Sequence, residues 1–200
     1  MARKLILLLL CACLQGLSQA PKAGLPELAW ALSHPFAALQ VKKLTKKCNA
    51  ISDPKLINTQ LDGFTNGGQA DAYRHCFFMA AYAQKIKIKK LRKLGKAHEK
   101  TNYRQFLKSG KENGEQPDSL ASVMDLINNE LGFKLGADHK KIPLKELQQI
   151  TVSEIKNGKA VIMKRSKNGT YLTCEGKEID LSSFKNKWNI PKCLLASDEH

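Results

Sequence analysis

The chain has 200 residues, with 33 Lys or Arg against 18 Asp or Glu and a formal charge of +15 at neutral pH. That length suits a single domain with a core of its own. It contains no Cys-x-x-Cys pair, which argues against a zinc ribbon or thioredoxin-type chemistry. Its apolar run Leu5–Leu14 has about half the length that a membrane-spanning helix needs.

That run follows Met1-Ala2-Arg3-Lys4 and gives way to Gln15-Gly16-Leu17-Ser18-Gln19-Ala20, the layout of a secretory signal peptide. Cleavage after Ser18 places the small Gly16 at −3. Cleavage after Ala20 would put Pro21 just past the scissile bond and is disfavoured. A second reading is a lipoprotein, because Leu10-Cys11-Ala12-Cys13 resembles a lipobox that would make Cys13 the lipidated terminus. The expected organisation is a leader over 1–18, a helical domain over 24–140 and a C-terminal helix with a β appendage over 141–196. The expected location is periplasmic or extracellular, with no transmembrane helix once the leader is removed.

Loss of Arg3 and Lys4 lowers the formal charge to +13 and leaves four cysteines, Cys48, Cys76, Cys174 and Cys193. An even number in an exported chain suggests disulfides. Nearness in sequence favours Cys174–Cys193, with Cys48–Cys76 tying the first helices together. The alternative is that Cys76 is a small core residue.

Two short helices open the mature chain, Leu25–Ala31 and Phe36–Lys47, the second entered through His34-Pro35. Proline is well placed at a helix start. Asp53-Pro54, Asp62-Gly63 and Asn66-Gly67-Gly68 make Ile51–Gly68 a loop around at most one short helical turn. The segment Gln69–Lys85 then reads as a helix apolar on nearly every side, and so a central, buried one. On its wheel Asp71, Arg74, His75, Phe78 and Tyr82 share a face, so three ionisable groups point inward. Burying a charge costs several kcal/mol unless it is paired, and partners must come from other elements.

A second helix runs over Ile88–Leu107, with Leu91, Leu94, His98, Asn102 and Phe106 inward and Glu99 at the margin. Between Gln84 and Lys111 lie eleven Lys or Arg and one acid, Glu99. Lys85, Lys89, Lys93, Lys96, Lys100, Arg104 and Lys108 recur every three or four residues along one side. That side is either a solvated face or an attraction for anionic envelope polymers, lipid headgroups or nucleic acid. No motif for specific nucleic-acid recognition accompanies it.

The exposed loop Ser109–Gln116 precedes a third helix, capped by Asp118, running to Leu135 and stopped by Gly136. Asp125, Asn128, Asn129 and Gly132 lie on one face of it. Asparagine is a poor residue inside a helix because its amide competes for backbone hydrogen bonds, so this pair beside an aspartate needs a compensating role. Gly132 permits close approach of another helix or a ligand. One more helix over Leu144–Ile155 is followed by Ala160–Arg165, Thr170–Cys174 and Glu178–Leu181, divided by Asn-Gly and Glu-Gly turns. These read as a small antiparallel meander, ending in a polar tail, Ser197–His200. The fold class is therefore mainly α, an orthogonal helical domain around a buried central helix, with a small C-terminal β meander.

Eight polar residues on three inward faces form the candidate site: Asp71, Arg74, His75, His98, Glu99, Asp125, Asn128 and Asn129. Three roles fit them. The first is a divalent-metal site with His75, His98, Glu99 and Asp125 as ligands and the amides around them. The spacing does not complete a zincin motif, because no second His follows His98-Glu99 at the required distance. The second is metal-free acid/base hydrolysis, with His75 or His98 as base and Arg74 and the amides holding an anion. The third is a satisfied buried network with no chemistry.

Asp71-Ala72-Tyr73-Arg74-His75, Gly95-Lys96-Ala97-His98-Glu99 and Met124-Asp125-Leu126-x-Asn128-Asn129-x-x-Gly132 together resemble a family of small, mostly exported bacterial helical domains of unknown function. His34-Pro35-Phe36 and Gly67-Gly68 extend the likeness over roughly His34 to Gly136. It implies a helical fold and a shared residue set, and names no reaction. Phe77-Phe78 stand where the family pattern has Trp or Tyr, which keeps the shape and removes a hydrogen-bonding handle. Two functions remain: a hydrolase, with a metal or without, of an envelope or extracellular ester, phosphoester or glycan, and a non-catalytic envelope-binding domain. A bound ion or an open cleft favours the first; a closed, fully paired cluster favours the second.

Overall fold

The computed structural model describes residues 23–109 and 117–199. The signal peptide over 1–18, the lipobox at Cys13 and the loop between Ser109 and Gln116 fall outside the described residues, Ser109 excepted. Among the described residues seven α-helices run in order: α1 Leu25–Ser33, α2 Pro35–Ile51, α3 Pro54–Gln60, α4 Gln69–Ala83, α5 Ile88–Ser109, α6 Ser119–Asp138 and α7 Leu144–Lys156. Two short strands follow, β1 Val161–Met163 and β2 Leu194–Ala196, paired antiparallel with Ile162 opposite Leu195. The fold is mainly helical, as its sequence indicates. No described helix is long and apolar enough to cross a membrane.

Helix α4 is the centre. Twelve of its fifteen residues are buried, which is why its sequence lacks a polar face. Tyr73, Cys76, Phe77 and Ala80 form one core with Leu135 of α6, Leu147 and Ile155 of α7, and Ile162 of β1. Tyr82 and Ala83 join a second core with Trp30, Leu44, Leu91 and Phe133. Full burial of one such aliphatic or aromatic side chain stabilises by about 1.5–3 kcal/mol, so these two clusters carry the fold. Trp30 also donates its Nε1 hydrogen to the Lys90 carbonyl at 2.9 Å and so binds α1 to α5.

The closest packing is of α4 on α6, and two glycines make it possible. A Cβ at Gly132 would overlap the carbonyl oxygen of Cys76, and one at Gly136 would overlap that of Ala80. Gly136 does not stop α6, contrary to the sequence expectation, and the helix continues to Asp138. This glycine is selected by helix-to-helix approach and not by termination. Helix α2 likewise runs to Ile51, four residues beyond the expected end. The loop before α4 contains α3, capped by Asp53 through Lys55 N–H at 2.9 Å.

The C-terminal sheet differs from the expected meander in its partner. β1 pairs with β2, while the segments around Tyr171 and Glu178 meet their neighbours only at the isolated bridges Arg165–Tyr171 and Leu172–Glu178. Three residues of pairing are too few to hold a sheet, and side chains take over. Arg165 lies over the rings of Phe64 and Tyr171, at 4.6 and 3.8 Å. The Cys174–Cys193 disulfide is present, with Cα atoms 4.9 Å apart. Such a bond suits an oxidising compartment. The expected Cys48–Cys76 bond is absent: both thiols are free and buried in the core. Burial pushes the Cys48 thiol up to about 12 and raises that of Cys76 as well. The tail begins in the interior. Ser197 is fully buried, donates its hydroxyl to the Ile155 carbonyl at 2.6 Å and its N–H to that of Ala160 at 2.9 Å.

Candidate metal centre

Two residue pairs, each spaced four apart, face one another across the α4–α6 contact: Asp71 and His75 on α4, Asp125 and Asn129 on α6. Residues four apart stack on one side of a helix, so the glycine-mediated approach brings the pairs together. His75 Nε2 lies 3.2 Å from Asp125 Oδ1 and 3.7 Å from Asp71 Oδ1. One ligand atom from each of the three lies within 4.8 Å of the others, and all three residues are buried. Ligands about 2.1 Å from a common ion, at tetrahedral or octahedral angles, stand about 3.0–3.4 Å apart. The 3.2 Å separation falls in that range and the 3.7 Å one lies slightly outside it.

The imidazole is oriented for such a role. Its Nδ1 meets the amide oxygen of Asn129 at 3.4 Å. With its amide oxygen facing the ring, Asn129 can accept a hydrogen from Nδ1, and that tautomer would leave the Nε2 lone pair for a metal. His75 Nε2 is buried and makes no hydrogen bond to the described residues. Burial holds the imidazole pKa well below its ordinary value, and the charges of Arg74 and His98 push the same way, against the Asn129 hydrogen bond. A neutral imidazole with a fixed tautomer is the form that binds metals.

Asp71 occupies the first turn of α4, where the helix dipole favours a carboxylate. Its Oδ2 accepts the Gly67 N–H at 2.8 Å and its Oδ1 accepts from the Arg74 guanidinium at 2.6 Å. Gly67 has φ +73 and its carbonyl accepts the Met163 N–H at 2.7 Å, so the turn before α4 is held by β1. Arg74 does not point inward as its wheel position implies. Its side chain is 55% exposed, which places one cation beside an otherwise buried group.

The remaining candidates are elsewhere. Asn128 is fully buried and gives both amide atoms to one backbone unit, donating to Val161 O at 2.9 Å and accepting from Val161 N at 3.0 Å. It extends the edge of β1 as a strand residue would. His98 Nδ1 lies 3.1 Å from Glu27 Oε1 on α1, and Thr101 donates to the other oxygen of Glu27. Burial raises the Glu27 pKa, but the bonds from His98 and Thr101 outweigh it and leave the carboxyl below its ordinary value. Glu99 is buried on α5 and accepts from Asn102 at 3.4 Å. Neither His98 nor Glu99 is in the three-residue cluster. Sequence reasoning placed Asp71 as a site residue but not as a ligand, although its spacing to His75 carried that signal. It missed Glu27 altogether, because a lone acid on a short helix carries none.

Beside the cluster, α5 and α6 enclose a half-open cavity of about 340 Å³, lined by Gly95, Lys96, Leu126, Ile127 and Asn129 among others. Gly95 makes room there: a Cβ would stand 3.1 Å from Asn129 Nδ2. Asn129 therefore touches both the cavity and His75.

These features define a helical domain whose central helix shares a buried Asp-His-Asp group with its closest neighbour, a group with the donor chemistry to hold a metal ion. The chain belongs to the family of the domain of unknown function DUF6973, whose model matches residues 28–159 and so spans all three sequence blocks. No curated protein and no solved structure matches the chain.

Proposed function

We propose that the domain is an exported, metal-assisted hydrolase whose substrate is an anionic phosphoester. The carrying observation is the convergence of Asp71, His75 and Asp125, with a hydrogen-bond-free Nε2 aimed at two carboxylates. Two carboxylates and a neutral imidazole suit zinc or manganese, and three protein ligands leave positions for water and substrate. A bound ion would polarise a phosphoryl oxygen and lower the pKa of a bound water. Asn129 fixes the imidazole, Gly67 and Arg74 fix Asp71, and the partly exposed Arg74 guanidinium brings positive charge to the edge of the group. In this reading the α5–α6 cavity, with Lys96 at its rim, receives the rest of the substrate. Export through a leader over 1–18 belongs to the same proposal and is supported by the Cys174–Cys193 disulfide. So does the division into a site-bearing part over 24–140 and an appendage over 141–196.

Both oxygens of Asp71 already accept hydrogen bonds, and that observation favours the other reading, a structural network in a non-catalytic binding domain. Calorimetric titration with Zn²⁺, Mn²⁺ and Mg²⁺ separates them, followed by assay of the loaded protein on chromogenic phosphoesters. The hydrolase reading expects one ion per chain and turnover, both lost in His75→Ala and Asp125→Asn. Absence of ion binding in a folded protein sinks it. Ion binding without hydrolysis of any ester keeps the centre and rejects the enzyme.

A further inference from the structure

Hydrophobic side chains left outside the core are concentrated at the start of the described chain. Phe36 is 83% exposed and Leu25 72%, while Leu32 and Leu39 are exposed by more than half and Leu28 by 39%. Single exposed apolar residues are ordinary on a protein surface; a contiguous run is not. Leu25, Leu28 and Leu32 follow three- and four-residue steps along one face of α1. Beyond the break at His34, Phe36 and Leu39 lie three residues apart on one face of α2. The inner sides of both helices are occupied by Trp30, Ala37 and Leu44, which are buried in the second core. The outward ridge is therefore not an inward face that failed to find its core.

Lysines adjoin the α2 part of the ridge. The α2 stripe that begins with Phe36 and Leu39 continues at the same spacing through the exposed Lys43, Lys46 and Lys47. The basic helix α5 lies against α1, tied to it by Trp30 through the Lys90 carbonyl, and its Lys89, Lys90 and Lys93 are exposed. An apolar ridge flanked by lysines, whose long stems extend toward headgroups, is the pattern of a surface that seats in the interfacial layer of a bilayer. A second copy of this chain would bring like charges together around the same ridge. We propose that the α1–α2 ridge docks the folded domain on an anionic lipid bilayer, with Phe36 and Leu39 entering the headgroup layer and the lysines engaging lipid phosphates. This surface is separate from the metal centre and does not depend on it.

Vesicle co-sedimentation of the full chain tests this, using phosphatidylglycerol–phosphatidylcholine vesicles beside pure phosphatidylcholine. The expected result is binding to anionic vesicles that weakens with salt and is weak on neutral ones. Phe36→Asp with Leu39→Asp is expected to lower the partition coefficient at least tenfold. Lys43→Glu with Lys46→Glu and Lys47→Glu is expected to lower it on anionic vesicles by about a hundredfold, or roughly fivefold per lysine. The milder Leu39→Ser is expected to weaken binding in the same direction, and an unchanged unfolding midpoint shows that it is folded. Equal binding by the parent and the Asp variant overturns the proposal, whether through the leader or through lysines elsewhere. A parent that ignores vesicles but becomes monomeric from an oligomer on Phe36→Asp also overturns it, in favour of self-association.

Discussion

Helix α6 carries two buried ionic groups, and they are built on opposite plans. At its first turn Asp118 is fully buried, accepts the N–H groups of Leu120 and Ala121 at 2.8 and 3.0 Å, and is paired with Lys192 at 2.6 Å. The Lys192 side chain is 4% exposed, and its ammonium also lies 3.8 Å above the ring of Tyr171. Cap, counter-ion and aromatic face leave that carboxylate nothing to bind. Two turns later Asp125 meets His75, whose Nε2 stands among carboxylate oxygens with no hydrogen bond to the described residues. A buried ion pair that is closed on itself fixes the chain; here it clamps the C-terminal segment to α6. A buried donor set with an unbonded ring nitrogen facing carboxylates is what a metal centre would need. The contrast separates a closed clamp from an open donor set more sharply than burial does, because the side chains of Asp118, Lys192, Asp125 and His75 are all buried or nearly so.

Four measurements break or sharpen that contrast. The largest effect is expected at the closed group: Asp118→Ala strands Lys192 and should cost about 3–5 kcal/mol in urea unfolding. Asp118→Asn keeps an acceptor for the cap and should cost less. If instead the alanine variant is nearly as stable as the parent, the clamp is not structural. At the open group a divalent ion at a hundred times its Kd should raise the unfolding free energy by about 2.7 kcal/mol. Asp125→Asn should erase that response while changing the stability of the ion-free protein much less than Asp118→Ala does.

The third test concerns the approach that creates the site. Gly136→Ala drives a methyl group into the Ala80 carbonyl and should destabilise by about 1–3 kcal/mol. Gly95→Ala meets the end of the Asn129 side chain and, at ordinary contact distance, Leu126, so thermal unfolding should separate the two glycines clearly. The smallest effect is expected from Glu27, whose folded pKa lies below its ordinary value. A depressed carboxyl contributes stability above its unfolded pKa and loses it as pH falls through the folded one. The contribution of the Glu27 carboxylate to the clamp on α5 should therefore be lost in acid, as the pH falls below the ordinary carboxylate range. Glu27→Gln should remove that pH dependence, at a cost of at most about 1 kcal/mol because His98 is partly exposed. Unchanged acid sensitivity in Glu27→Gln would assign the effect to another carboxylate.

Much of this was legible in the chain. The all-round apolar pattern of 69–85 marked the central helix, and Asp118 announced the start of α6. The polar residues on α4 and α6 were identifiable because ionisable and amide groups on apolar helices demand partners. What could not be read was which partner each one takes. His98 and Asn128 carry the same sequence signature as His75 and Asn129, yet one turns to Glu27 and the other to the backbone of Val161. That choice depends on residues 71 and 33 positions away in sequence.

The sequence by itself determined the helices, the central position of α4, the closeness of Gly132 to another element and the set from which the site is drawn. Periodicity and capping are local, and local rules suffice for them. Tertiary structure alone decided that Gly136 is a contact and not a stop, that β1 pairs with the chain end, and that Arg74 faces solvent. It also decided that Asp71, His75 and Asp125 converge. A carboxylate four residues from a histidine is an ordinary helical pair until a second helix, brought close by two missing side chains, supplies a third buried donor.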